Sequence, residues 1–297
     1  MEIIQQALVY IIPGLSKGLI YALIGLGFVI TFKCTGIFNL AIGEILMLSG
    51  YIFYLFNIQL GFPIIVAALL TLILMWIVGF TSVRLLIQPL VGQPNIAMIL
   101  MTLALGSILV AFMIIFWGSQ DLTVPRFFPQ GGINILGTIL EWHYLGFAII
   151  SLILLVALLA FFRYSKLGLS MMAISEDQQA AQALGISVEQ IVQSAWILGI
   201  LSVSVGGIIL TSVTAVQYSQ ASMGMIGMAV ALCGGLQSLG GVIIGGLLVG
   251  LVQGLVSGYI DPYIPGTLQE VSSYIIMMVV LLTRPTGFFG WERIERV

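Results

Sequence analysis

Apolar runs long enough to cross ~30 Å of hydrocarbon as helix follow one another along almost the whole chain. They fall roughly at 7–32, 38–56, 62–83, 96–117, 142–162, 191–214, 223–237, 241–260 and 268–283. Inside lipid each run has to satisfy its own backbone N–H and C=O groups, and helix does so within a single segment. With 60% hydrophobic and 7% charged residues and a mean hydropathy of +1.20, the chain lacks the polar residues that cover a water-soluble globule. The expectation is an all-α polytopic transmembrane bundle of about nine membrane segments, one transmembrane domain over residues 1–297. The seventh run is short, and the pairs Gly234/Gly235 and Gly240/Gly241 suggest a broken or re-entrant element shielded by protein.

Orientation follows from the nine basic residues. An N-terminus outside and a C-terminus in the cytoplasm place Lys33, Arg84, Arg163, Lys166, Arg284, Arg293 and Arg296 inside, with Arg126 outside. If the seventh run did not cross, the last three would move outside, so charge favours two crossings over 223–260. Trp117, Trp142, Tyr144, Tyr164, Tyr259 and Tyr263 then lie near span ends, where aromatic residues anchor. The N-terminal MEIIQQALVY has no basic residue before its apolar run, unlike a cleaved signal peptide, and is expected to open the first helix. The loop at 118–141 is rich in turn residues and shows no strand alternation. Cys34 and Cys233 fall near cytoplasmic span ends, where thiols stay reduced.

Catalytic chemistry has little to stand on. The single histidine, His143, sits beside Trp142 at a span edge and is expected to be a solvated anchor. No HExxH, cysteine cluster or phosphate-binding GxxxxGK[ST] is present, so no metal, cofactor or nucleotide site is expected on this chain. A net charge of −2 with no basic patch gives nucleic acid nothing to bind.

Polar groups inside the apolar runs are more informative, because an ionisable side chain in hydrocarbon needs a cavity or a partner. Glu44 lies in FNLAIGEILMLSG, with Asn39 and Gly43 four apart. These three belong either to a translocation path, or to a helix that flanks one, or to a structural hydrogen bond between helices, for example with Lys17. Lys17 by itself reads as a snorkelling or paired side chain. Gly241, Gly245, Gly246, Gly250 and Gly254, with Gly258 beyond, form a small-residue stripe for close helix packing, within the chain or between subunits. Gln217, Gln220, Gln237, Gln253 and Gln269 could line a path for a zwitterion.

The polar island Arg163–Gln190 interrupts the hydrocarbon and is expected to face the cytoplasm. Within it Glu176 and Asp177 precede a short helix that stops at Gly185, before Ile186. Ala180, Ala181 and Leu184 would form a small apolar face for a groove on a soluble partner.

Five segments together resemble a known family. Gly14, Gly18, Tyr21, Ala22, Leu23 and Gly27 are similar to an opening GxxxGxxYALxxxG. Asn39, Ala41, Gly43 and Glu44 resemble an NFAHGE segment, and Glu176, Asp177, Leu184, Gly185 and Ile186 a cytoplasmic coupling loop. Gly234, Gly235, Ser238, Gly241, Gly245, Gly246 and Gly250 resemble glycine-rich late helices, and Arg284, Pro285, Thr286, Gly287 and Gly290 an RPTGLLG ending. The family is that of the permease subunits of bacterial ABC importers for branched-chain amino acids, of the shorter of the two paired types. The resemblance implies one permease domain with a coupling loop at 163–190. It also implies a second homologous permease, two cytoplasmic ATP-binding subunits that hydrolyse the ATP, and an extracytoplasmic solute-binding protein, in a prokaryotic inner membrane. Leu40 and Ile42 stand where the family has phenylalanine and histidine, Gln237 and Gly240 where it has glycine and proline, and Leu169 and Met172 where basic residues are common. Related permeases serve urea or short amides, so the solute stays open at this point. A self-sufficient secondary transporter with Glu44 as its coupling group is the alternative in another class.

Overall fold

The computed structural model of the chain describes residues 2–90, 93–129, 131–135, 138–264 and 268–290. Its elements are α1 (Glu2–Thr35), α2 (Ile42–Tyr54), α3 (Ile64–Ser82), α4 (Asn95–Trp117), β1 (Gly132–Ile135), β2 (Thr138–Glu141), α5 (Trp142–Tyr164), α6 (Lys166–Glu176), α7 (Gln178–Ala183), α8 (Val188–Val213), α9 (Ser222–Gly234), α10 (Leu239–Tyr259) and α11 (Leu268–Thr283). A π turn at Leu55–Gln59 extends α2, and a π turn and a short 3-10 turn carry α3 on to Leu90.

Among the described residues seven helical stretches are long and apolar enough to cross a membrane: Ala7–Thr35, Ile42–Gln59, Ile64–Leu90, Asn95–Trp117, Trp142–Tyr164, Val188–Val213 and Leu239–Tyr263. The runs expected at 223–237 and 268–283 are shorter helices, α9 of 13 residues and α11 of 16. At ~1.5 Å per residue α9 spans about 20 Å. The protein is thus a polytopic helical membrane protein.

Two expectations are corrected. The loop at 118–141 holds an antiparallel hairpin, Gly132 opposite Glu141 through Ile135 opposite Thr138. Its strands are four residues each, too short for alternation to announce them. The second helix begins at Ile42 rather than at 38, because α1 ends at Thr35 and Gly36 takes a left-handed φ of 70° that breaks the helix. Arg293 and Arg296 lie outside the described residues.

The chain divides into two compact units, with the divisions falling inside α1, α5 and α9 and in the loop after α4. The first comprises residues 1–25, 128–156 and 226–297. In it α1 and α10 run antiparallel at backbone contact: a methyl on Gly14 would sit 2.5 Å from the carbonyl oxygen of Gly250, and one on Gly246 2.5 Å from that of Gly18. Side-chain-free faces of this kind let membrane helices approach closely. Gly241 and Gly245 turn instead toward α9, against Gly234 and Val230. Gln253 donates to Ser273 Oγ at 2.6 Å and joins α10 to α11. Beyond α11, the N–H groups of Phe288 and Phe289 donate to Cys233 and Gly234 oxygens at 2.9 and 3.2 Å, satisfying carbonyls at the end of α9.

The second unit comprises residues 26–127 and 157–225 and centres on α8. Gly27 faces Val203 and Gly199 while Thr31 faces Gly199, so α1 runs antiparallel to α8. Gly207 faces Leu46 and Ser49 while Thr211 faces Gly50, so α2 runs parallel to α8. Gly79 brings α3 against Ile200 of the same helix. Ile37, Val83, Ile87, Met98 and Trp196 form a buried cluster, so the connector after α1 is held by its own isoleucine.

Candidate functional site

The segment Gly36–Ala41 and the first turn of α2 bring buried Asn39 and half-buried Glu44 into the second unit. Ile37 is pinned in the hydrophobic cluster, which fixes Asn39 two residues on. Asn39 is 1% exposed, and its Oδ1 accepts from the Ala41 N–H at 3.1 Å, a local turn that delivers the chain into the helix. Glu44 follows in the first helical turn, where the positive end of the helix dipole favours a carboxylate. Asn39 therefore lies before the helix, and the pair does not share a helix face.

Two residues of α4 with no signal of their own in the sequence complete this site. Gly106 leaves room for the carboxylate: a methyl there would lie 3.0 Å from Glu44 Cδ and 3.2 and 3.3 Å from its two oxygens. One turn earlier, Thr102 Oγ1 accepts from the Leu40 N–H at 3.2 Å and donates to the Ile99 oxygen at 2.8 Å. A glycine and a threonine four apart in an apolar helix carry no partner signal in sequence. Gly43 meets the start of α9, where a side-chain carbon would collide with the Ala221 carbonyl, and Gly224 lies against Gly43 itself.

Asn39 Nδ2 and Glu44 Oε2 are buried and have no hydrogen-bond partner among the described residues. An unsatisfied buried polar group costs about 1–3 kcal/mol, more when charged. An ionisable group so placed in a membrane segment is a candidate for contact with solute or water.

The other expected residues are placed as follows. Lys17 belongs to the first unit. Gln220 is buried and donates to Thr214 Oγ1 at 3.0 Å and the Ala215 oxygen at 2.9 Å, and Gln253 Nε2 donates to Ser273 Oγ at 2.6 Å while its Oε1 has no partner among the described residues. His143, expected in solvent, is buried: Tyr144 packs on its ring at 4.0 Å, and its Nδ1 is 3.0 Å from Glu141 Oε2.

The island at 163–190 folds as two capped helices. Ser165 caps α6 by accepting from Gly168 N–H at 2.9 Å. Asp177 caps α7 by accepting from the Gln179 and Ala180 N–H groups at 2.8 and 3.0 Å. Gly185, at φ 82°, closes α7: its N–H donates to the Gln182 oxygen at 2.9 Å and that of Ile186 to the Ala181 oxygen at 3.1 Å, a Schellman pair. Leu184 is left 81% exposed, and Glu176 and Ala180 are exposed as well. Ala181 is 2% exposed, so the apolar face expected from Ala180, Ala181 and Leu184 is not a single surface: Ala181 packs inward and the other two point out.

Comparison with known proteins places this architecture. Residues 10–282 match the family described as "Branched-chain amino acid transport system / permease component". The chain is 25% identical over 299 residues to the high-affinity branched-chain amino acid transport system permease protein LivH of Escherichia coli K12, covering 96% of each. It is 24% identical over 315 residues to the corresponding protein BraD of Pseudomonas aeruginosa, covering 100% of each. A probable branched-chain amino acid transport permease protein LivH of Methanocaldococcus jannaschii is 25% identical, with 93% of this chain and 90% of that one covered. In fold, the chain is similar to a chain of PsaBC from Streptococcus pneumoniae, solved in complex with Fab, at a TM-score of 0.52 and 13% identity over 94% and 92% of the two. The sequence match defines a membrane transport subunit. The chain belongs to the family of permease components of branched-chain amino acid transport systems.

Proposed function

We propose that this chain is the permease subunit of an ATP-driven importer that carries branched-chain amino acids across a prokaryotic cytoplasmic membrane. The observation that carries this reading is the family match over residues 10–282, joined by relatives of nearly equal length that are named for that solute class. Its partners in this reading are a second homologous permease, two cytoplasmic ATP-binding subunits and an extracytoplasmic solute-binding protein. ATP hydrolysis resides on the partners, and their motion reaches the membrane through Glu176, Asp177, Ala180, Leu184, Gly185 and Ile186. The whole chain acts as one permease domain.

We propose nine crossings with the N-terminus outside, and parity supports the seventh of them, a traverse by α9. Because α1 and α10 pack antiparallel at Gly14, Gly18, Gly246 and Gly250, an even number of crossings must lie between them. Counting α1 to α5 and α8, α10 runs opposite to α1 when α9 also traverses. The basic residues Lys33, Arg84, Arg163, Lys166 and Arg284 then share the cytoplasmic side.

In this reading Asn39, Gly43 and Glu44, with Gly106 and Thr102, border the translocation path. Glu44→Gln keeps the side-chain shape and removes the charge. We expect amino acid uptake by the assembled importer to fall at least tenfold, equivalent to ~1.4 kcal/mol, at unchanged membrane levels. Gly106→Ala, which crowds the same carboxylate, should fall in the same direction. Wild-type uptake by Glu44→Gln would reduce Glu44 to a packing residue.

A further inference from the structure

The first unit contains a cavity of about 290 Å³ where the start of α1, the end of α10 and the starts of α5 and α11 meet. That volume sits at the bottom of the ~300–1,000 Å³ range of ligand pockets, a size for a small solute. Val9, Pro13 and Lys17 line it from α1, and their spacing of four puts them on one helix face. Lys17 lies nearly three turns inside the apolar stretch that begins at Ala7 and makes no ion pair among the described residues. An unpaired ammonium at such a depth needs an anion or water.

A second observation points the same way. Pro13 sits inside α1 and has no N–H to give the carbonyl of Val9, so that carbonyl loses its usual helical donor, and both residues line the cavity. Ser257 and Gln269 add neutral hydrogen-bonding groups and Leu140 an apolar wall. Glu141 also borders the space, with Oε2 engaged by His143 Nδ1 at 3.0 Å. A cation, a carbonyl without its usual helical donor and an apolar wall at one small cavity match a carboxylate, an ammonium and a short hydrocarbon chain.

We infer that this cavity binds a small amphiphilic carboxylate, of which an aliphatic amino acid zwitterion is the fullest match. Lys17 takes the carboxylate, the Val9 carbonyl accepts from the ammonium, and Pro13 and Leu140 face the hydrocarbon. The importer reading enters in the choice of L-leucine as the first probe.

The test uses the full-length chain in its purified assembly, in phosphatidylcholine vesicles, with Ser257→Cys as reporter. Cys34 and Cys233 are buried and react slowly in comparison. Millimolar L-leucine and 4-methylpentanoate are expected to slow labelling by an anionic thiosulfonate at least threefold, while L-leucinamide, whose carboxylate is blocked, does not. Lys17→Gln should abolish the slowing and Lys17→Arg should keep it. Labelling unchanged by all three compounds, in vesicles that take up leucine, would overturn the site. Equal slowing by leucinamide would overturn carboxylate recognition, and slowing by added phosphatidylglycerol without solute would assign the cavity to a lipid headgroup. Protection without any uptake would instead overturn the importer reading and leave the cavity standing.

Discussion

Gly250→Leu is expected to remove most of the folded protein from the membrane. A side-chain carbon at this position would lie 2.5 Å from Gly18 Cα and 2.6 Å from Gly18 N, and both belong to the backbone of α1, which cannot swing aside as a flexible side chain can. Overpacking a close contact usually costs about 1–3 kcal/mol, and a backbone-to-backbone crossing offers the least relief. Gly240→Leu is the matched control, because a side-chain carbon there meets no atom within 4 Å. The check is membrane abundance together with the thermal midpoint in detergent. Gly250→Leu should lose most of its abundance or melt more than about 5 °C lower, with Gly240→Leu near wild type. Equal behaviour of the two would contradict the packing of α1 on α10, and with it the parity that supports nine crossings.

Leu184→Asp and Gly185→Pro are expected to uncouple ATP hydrolysis from solute while leaving the permease in the membrane. Leu184 is 81% exposed, so it contributes little to the fold of its own chain. An aspartate there would carry a charge into an apolar groove on a partner, where unpaired charges are costly. Gly185 holds φ at 82°, a value proline cannot reach with its φ near −65°, and proline also lacks the N–H that closes onto Gln182. We expect solute-stimulated ATP hydrolysis of the reconstituted assembly to fall at least tenfold in both variants. Membrane levels and labelling of Gln178→Cys from the cytoplasmic side should match those of an otherwise wild-type chain. Wild-type coupling in both variants would make 163–190 a plain connector, and labelling of Gln178→Cys from outside would reverse the orientation.

The long helices were legible because hydrocarbon demands continuous apolar runs, and seven of the nine expected segments are long apolar helices. The ends of helices were less so. Apolar residues on both sides of Asn39 draw it into the second run, and only the break at Gly36 and the local turn closed by Asn39 Oδ1 set the helix start at Ile42. The capped helix after Asp177 could be read from an acid followed by a glycine eight residues on, since caps are local chemistry. The inward turn of Ala181 could not, because it depends on packing distant in sequence. Gly106 and Thr102 were invisible for the same reason: nothing about either residue on α4 names Glu44 or Leu40 as its neighbour.

The central claim, that this chain is the membrane path of an ATP-driven amino acid importer, is tested most directly by uptake in proteoliposomes. The chain would be reconstituted with its co-purifying permease and ATP-binding subunits and supplied with the matching solute-binding protein. We expect labelled L-leucine to accumulate against its gradient when ATP is present on the nucleotide side, and not with a non-hydrolysable analogue, with proton and sodium gradients collapsed by ionophores. Uptake by this chain alone, driven by a proton or sodium gradient and indifferent to ATP, would contradict it.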